Sequence, residues 1–223
     1  IFYKMRTDIL YSFRRCPYAI RVRWALLICE IKVEIREVDL KNKPLEFINI
    51  SKTKTVPILV KTNQEVIEES LDIIIWALSE SKKKKLKNFY IPISKEEEII
   101  EIISENDNGF KYHLDRFKYS ARFNASEEDY HFIEAAKYIK KWNKKLTNSR
   151  WLIGDNPSIA DWCVWPFVRQ FKIACESQKK TSYFEDPIKE WLGHFEKHQY
   201  FKKLMQKFDP WKPTRKKEYF PFN

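Results

Sequence analysis

Cys16 is the residue in this sequence best placed to do chemistry. In Arg14-Arg15-Cys16-Pro17-Tyr18-Ala19 it stands between a β-type run at residues 9–13 and a helix-type run over 17–29. Proline in a first helical turn loses no hydrogen bond and presets φ, so Cys16 is expected at or beside the helix N-cap. There the unpaired backbone N–H groups and the positive end of the helix dipole favour a thiolate, and Arg14, Arg15, Arg21 and Arg23 are expected to add positive field. A drop in pKa from about 8.5 to about 7 raises the thiolate fraction at neutral pH from roughly a thirtieth to about half. The competing reading is a buried structural thiol. Other reactive groupings are weaker. His194 and His198, four apart with Glu196 between them, do not form the HExxH pattern of a zinc hydrolase. Cys16, Cys29, Cys163 and Cys175 form no CxxC pair and lack metal-ligand spacing, which speaks against a disulfide scaffold or structural zinc and for a reducing compartment. Cys163 and Cys175 read as core residues.

The elements that would position Cys16 are those of an α/β unit. After the Cys16 helix, residues 32–38 carry β-branched side chains at period two, as a half-exposed strand does. Residues 56–60 and 65–67 read as a hairpin around 61–64, and Ser70 opens a helix through 78. Pro57 in a strand-like run removes a ladder donor, which marks an exposed backbone edge or a cis bond. Beyond the run Lys82-Lys83-Lys84-Lys85-Leu86-Lys87, amphipathic helices are predicted over 96–105, 129–146, 158–175 and 187–208. Ser158, with Asp161 three residues on, forms a variant capping box. Three regions follow: an α/β domain at 1–80, a basic linker at 81–94 and an all-helical domain at 95–223.

Composition narrows the function. The 223 residues contain three glycines, too few for a Gly-rich phosphate loop. The apolar runs are far shorter than the roughly 18 residues of a membrane span, and the first residues, with Lys4, Arg6 and Asp8, hold no secretory core. A cytoplasmic protein is expected. The net charge is +11, with 13 Lys+Arg against 11 Asp+Glu in residues 1–80, so the remainder carries +9 of it. That excess suits nucleic acid, an acidic surface or an anionic metabolite, although the lysine run lacks interleaved aromatics and reads as a solvated connector.

Strand, Cys-Pro, helix, then Val56-Pro57 before a strand, Glu69-Ser70 at a helix start, and a helical region with a capping box together resemble the cytosolic glutathione transferases. Among these the chain is most similar to the cysteine-type omega class and its bacterial relatives. Cys16-Pro17-Tyr18-Ala19 parallels their Cys-Pro-Phe-Ala, Leu40-Lys41-Asn42-Lys43-Pro44 is the same as an omega stretch, and Ser158 to Phe167 resembles the omega Ser-x-x-Asp-x-x-x-Trp-Pro-Trp helix. The resemblance implies a thioredoxin-like domain followed by a helical one, with glutathione as co-substrate and no metal. It makes Cys16 the redox nucleophile and places Val56 and Pro57 beside the glutathione backbone, Glu69 and Ser70 at its γ-glutamyl end and Lys43 near its glycyl carboxylate. Tyr18, His113 and Trp191 are implied at the second-substrate pocket. Lys54 stands where the family usually has a glycine, so the turn before Val56 is expected to differ.

The leading expectation is a glutathione-dependent thiol transferase or dehydroascorbate reductase, homodimeric by family habit. Ala19 stands in the place of a resolving cysteine, so the chemistry would be monothiol. Cys29 lies about 20 Å away along a helix rising about 1.5 Å per residue. The alternatives are a non-catalytic binding module on the same fold, and a basic-surface nucleic-acid binder.

Overall fold

The computed structural model describes residues 7–83, 85–180, 184–214 and 216–221; Lys4, Arg6 and Lys84 lie outside the described residues. The chain divides into two compact units, one comprising the described residues of Ile1–Lys87 and Gln199–Asn223, the other Asn88–His198.

In the first unit β1 (Ile9–Ser12), α1 (Pro17–Cys29) and β2 (Val33–Glu37) form a parallel crossover, with Leu10 opposite Ile35. After α2 (Leu45–Ile50) come β3 (Ile58–Val60) and the short β4 (Val66–Ile67), an antiparallel hairpin turning at Lys61 to Gln64, with Leu59 opposite Leu10 across β1. Helix α3 (Ser70–Glu80) packs on α1. A mixed sheet with one parallel crossover and a terminal hairpin is the thioredoxin-like arrangement expected from the sequence. Tyr11, Ile58, Val60, Phe47 and Val56 form a core cluster on one sheet face, against which Cys16 is partly packed. Alternation sends Ser12 to the opposite face, where it meets α1.

Two expectations need correction here. The strand at 32–38 is not half-exposed, because all five residues of β2 are buried. Its outer edge is paired antiparallel by β5 (Glu218–Phe220), giving the order β4-β3-β1-β2-β5. Its charged side chains are paired rather than solvated: Glu34 takes Arg36 at 2.8 Å and Lys217 at 2.6 Å, and the Arg36 guanidinium lies 4.3 Å over the Trp211 ring. Nor is the region from 95 to 223 helical to its end. The predicted helix at 187–208 closes in a tight turn at Lys197 and His198, resumes as the short α10 (Phe201–Leu204), and from there the chain returns to the sheet.

The second unit is helical. Within the segment expected as linker lies α4 (Leu86–Tyr90), and then come α5 (Glu96–Ser104), a π-helical turn (Glu105–Phe110), α6 (Lys111–Lys118), α7 (Glu128–Asn148), α8 (Ile159–Ser177) and α9 (Asp186–Glu196). Phe110 meets Trp142 and Phe171 at ring distances of 5.0 and 5.7 Å in its core. Gly109 lies so close under the Tyr138 ring that a Cβ there has no room. The predicted capping box is present: Ser158 accepts from the Ala160 N–H, and Asp161 accepts from the Ser158 N–H at 2.8 Å.

Candidate functional site

Cys16 is the N-cap of α1, with extended backbone (φ −78°, ψ 121°) and Pro17 in the first turn. Its N–H donates to the Phe13 carbonyl at 2.9 Å, which closes a tight turn out of β1. The thiol donates to the Val56 carbonyl oxygen, Sγ···O 3.5 Å, across the cis Val56-Pro57 bond that precedes β3. A half-buried sulfur is therefore held between a helix N-terminus and an extended backbone segment. Cys29 and Cys175 are buried, and burial pushes each thiol up to about 12, which leaves both protonated and inert at neutral pH. Cys163 is also buried.

The loop carrying Val56 is built by a residue that the sequence reading missed. The Glu68 carboxylate accepts from the Lys52 N–H, the Thr53 N–H and the Thr53 hydroxyl at 3.0–3.1 Å, and these hydrogen bonds hold its carboxyl below the usual range against the opposing effect of its slight burial. Where a departure in the turn was expected, Lys54 instead adopts the conformation that favours glycine, φ +55°, with its N–H on the Ser51 hydroxyl and its carbonyl accepting from Lys43 Nζ at 2.9 Å. Lys43 thus reaches the same loop two residues before Val56.

Ser70 opens α3 with exposed Glu69 as N-cap. Its hydroxyl accepts from Arg21 Nε at 2.9 Å and Nη2 at 2.6 Å, and the Arg21 guanidinium lies 4.8 Å over the Tyr18 ring. Arg21 and Arg23 are both buried on α1, at 1% and 0% exposure. This changes their expected role: Arg21 is directed at Ser70, and Arg23 at Glu37, so neither is a simple source of field at the sulfur. The signal available in the sequence was position, since an arginine one turn into a buried helix needs an acceptor.

Cys16, Tyr18, Lys43, Val56, Pro57, Glu69 and Ser70 all belong to the first unit; His113 and Trp191 belong to the second. Trp191, expected beside a substrate, is 1% exposed, and its indole N–H donates to Asp161 Oδ1 at 2.9 Å. It serves the core of its unit, because the buried Asp161 carboxylate in the first turn of α8 needs that donor. His113 on α6 pairs through Nδ1 with His131 Nδ1 of α7 at 2.9 Å. His194 packs against Trp151 with ring centroids 5.0 Å apart and the planes tilted by 33°, and His198 lies past the end of α9. Among the described residues no three His, Cys, Asp or Glu side chains are grouped to hold a metal, and no helix is long and apolar enough to cross a membrane.

Two family descriptions match the chain: "Glutathione S-transferase, N-terminal domain" over residues 10–85 and "Glutathione S-transferase, C-terminal domain" over 112–197. Glutathione S-transferase omega-1 of Mus musculus is 27% identical over 165 residues, covering 73% of this chain and 66% of the mouse protein, just under two thirds of its length. Among solved structures, a Pseudomonas putida glutathione transferase holding one glutathione disulfide per subunit superposes with a TM-score of 0.76 at 16% identity, over 92% of this chain and 93% of that one. A Phanerochaete chrysosporium glutathione transferase with oxidized glutathione gives 0.75 at 15%, over 91% and 95%. At such identities the superpositions speak for the fold.

Proposed function

Because the chain belongs to the glutathione S-transferase family, we propose that it is a glutathione-dependent thiol transferase of the omega-like type, working through a Cys16–glutathione mixed disulfide. The observation that carries this reading is the Cys16 sulfur at a helix N-cap, 3.5 Å from the Val56 carbonyl. Two structural relatives bind glutathione in its disulfide form, which agrees with it. In the proposed first step the Cys16 thiolate attacks the glutathione sulfur of a mixed disulfide. The old S–S bond breaks, its electron pair leaves with the substrate thiolate, and a Cys16–glutathione disulfide forms. A second glutathione thiolate attacks that bond, expels the Cys16 thiolate and leaves as oxidised glutathione. The net change converts the mixed disulfide and one free glutathione thiolate into the substrate thiolate and oxidised glutathione, and the enzyme returns unchanged.

The surrounding residues take complementary parts in this proposal. Val56 pairs with the tripeptide backbone as an added strand would, beside Pro57. Ser70, its oxygen already accepting from Arg21, turns its hydroxyl hydrogen toward the γ-glutamyl carboxylate, and Glu69 takes the ammonium. Lys43 serves the glycyl carboxylate. Tyr18 borders the second-substrate side. Homodimer assembly rests on the family resemblance, and light scattering checks it. The nucleic-acid reading is less favoured, since lysines of the basic unit such as Lys137, Lys145 and Lys189 are ion-paired with Glu134, Glu98 and Asp186.

Incubation with oxidised glutathione followed by peptide mass mapping is expected to place the adduct on Cys16. Wild type should reduce a small glutathione mixed disulfide or dehydroascorbate far faster than it conjugates an aryl halide. Cys16→Ala should lose the reduction, while Cys16→Ser loses it and gains conjugation, because a serine hydroxyl can hydrogen-bond the glutathione thiolate but cannot form a disulfide. Full turnover in Cys16→Ala overturns the assignment. An adduct without turnover would favour the binding-module alternative.

A further inference from the structure

Glu37, the last residue of β2, joins three parts of the first unit. Its Oε1 accepts from the Arg14 N–H at 2.7 Å, two residues before Cys16, and its Oε2 accepts from Arg23 Nη2 at 2.6 Å, two turns into α1. Arg23 is in turn fixed to β1 by the Ser12 hydroxyl at 2.9 Å and to the returning chain by the Leu204 and Gln206 carbonyls at 3.4 Å. The Glu37 carbonyl accepts from the Trp211 N–H at 2.7 Å. Both charges are buried, with side-chain exposures of 0% and 9%, and both Glu37 oxygens are used.

We propose that Glu37 is the positioning residue for Cys16, tying the loop before the cysteine to the helix after it through Arg23. The inference rests on the reading of Cys16 as the reacting thiol. Geometry gives the reason. A thiolate gains from helix N–H groups only within the first turn, so a loop free to swing would carry the sulfur away from them. A backbone N–H on one carboxylate oxygen and a guanidinium on the other leave the loop one position. Charge acts in the same place. The charged groups around this point are Arg14 and Arg15, next to Cys16 in the loop, Arg23 from α1, which interacts electrostatically with Cys16, and Glu37 from β2, whose carboxylate offsets Arg23. Burial pushes the Glu37 carboxyl up, while Arg23 and the Arg14 N–H pull it back toward the ionised form.

The test is the pH dependence of Cys16 alkylation by iodoacetamide in the full chain, read by peptide mapping. Glu37→Gln keeps an acceptor for the Arg14 N–H but leaves Arg23 without its counter-charge, so the midpoint should fall by about half a unit or more. Arg23→Met combined with Glu37→Leu replaces a buried pair by apolar groups of similar size, a change that folded proteins tolerate. Here the loop loses its tie while the charges cancel. The midpoint should rise toward the free-cysteine value of about 8.5, and kcat for disulfide reduction should fall about tenfold with KM little changed. Midpoints equal to wild type in both variants, with their circular dichroism intact, overturn the proposal and leave Glu37 a structural ion-pair member. Should the double variant not fold, Glu37→Gln decides by itself. Because iodoacetamide is independent of glutathione, a chain inactive on glutathione disulfides still reports on Glu37, so the two readings fail separately.

Discussion

At the scale of single residues, the site is assembled from groups whose side chains or backbones are committed elsewhere. Arg21 serves Ser70, Glu68 serves the loop before Val56, and Glu37 serves the loop before Cys16. Lys54 shows what such a loop demands. Its φ of +55° lies in the left-handed region, which costs a side chain about 1–2 kcal/mol that glycine does not incur. The two contacts that anchor it, N–H to Ser51 and carbonyl from Lys43, are made by the backbone and survive substitution. Lys54→Gly is therefore expected to raise unfolding free energy by up to about 1 kcal/mol, after the larger unfolded-state entropy of glycine is subtracted. Urea denaturation measures it. A loss of stability would mean that the Lys54 side chain makes a contribution larger than its backbone strain.

At the scale of elements, local signals were legible and long-range ones were not. Pro17 after Cys16 marked the start of α1, the turn at 61–64 marked the β3–β4 hairpin, and Ser158 with Asp161 marked the start of α8, since each is written within a few residues. The burial of β2 was not legible, because Glu34 and Arg36 look solvated until Lys217 and Trp211 arrive from the far end of the chain. The π-helical turn before α6 has no periodic signature. Of the candidate site, Cys16 and Val56 could be read from the sequence; the supporting Glu37, Glu68 and the destination of Arg21 could not. The α6–α7 pair carries a prediction of its own. The His113 pKa is lowered by burial and by His131 beside it, with Arg116 and Lys137 adding to the effect and Glu134 opposing it. The unfolded chain then binds the proton more readily, so stability is present above the unfolded value of about 6.5 and is lost as pH falls through it toward the folded value. Wild type should show a steeper drop in melting temperature from pH 7.5 to pH 5 than His113→Gln, whose amide keeps a hydrogen bond to His131 without titrating. Equal slopes would remove the pair from the account.

At the scale of the whole molecule, the first and the last described strands belong to one sheet. β5 covers β2, the Arg23 guanidinium lies 5.5 Å over Phe208 and 5.7 Å over Phe220, and Trp211 lies over Arg36. Phe208 and Phe220 are almost fully buried. The first unit is thus completed only by residues that follow the helical unit, a connection of high sequence separation. Ending the chain after Met205 removes both phenylalanines at about 2 kcal/mol each and bares the outer edge of β2. With about 2–4 °C per kcal/mol for a chain of this length, melting should fall by roughly 10 °C or more. The exposed strand edge should also bring concentration-dependent aggregation, visible by light scattering. A second variant separates packing from edge pairing. Trp211→Ala leaves β5 in place, so it should lower melting by less and leave the chain monodisperse. A truncated chain that melts with wild type and stays monodisperse would show that the sheet is complete in four strands and that β5 adds nothing to the unit's stability.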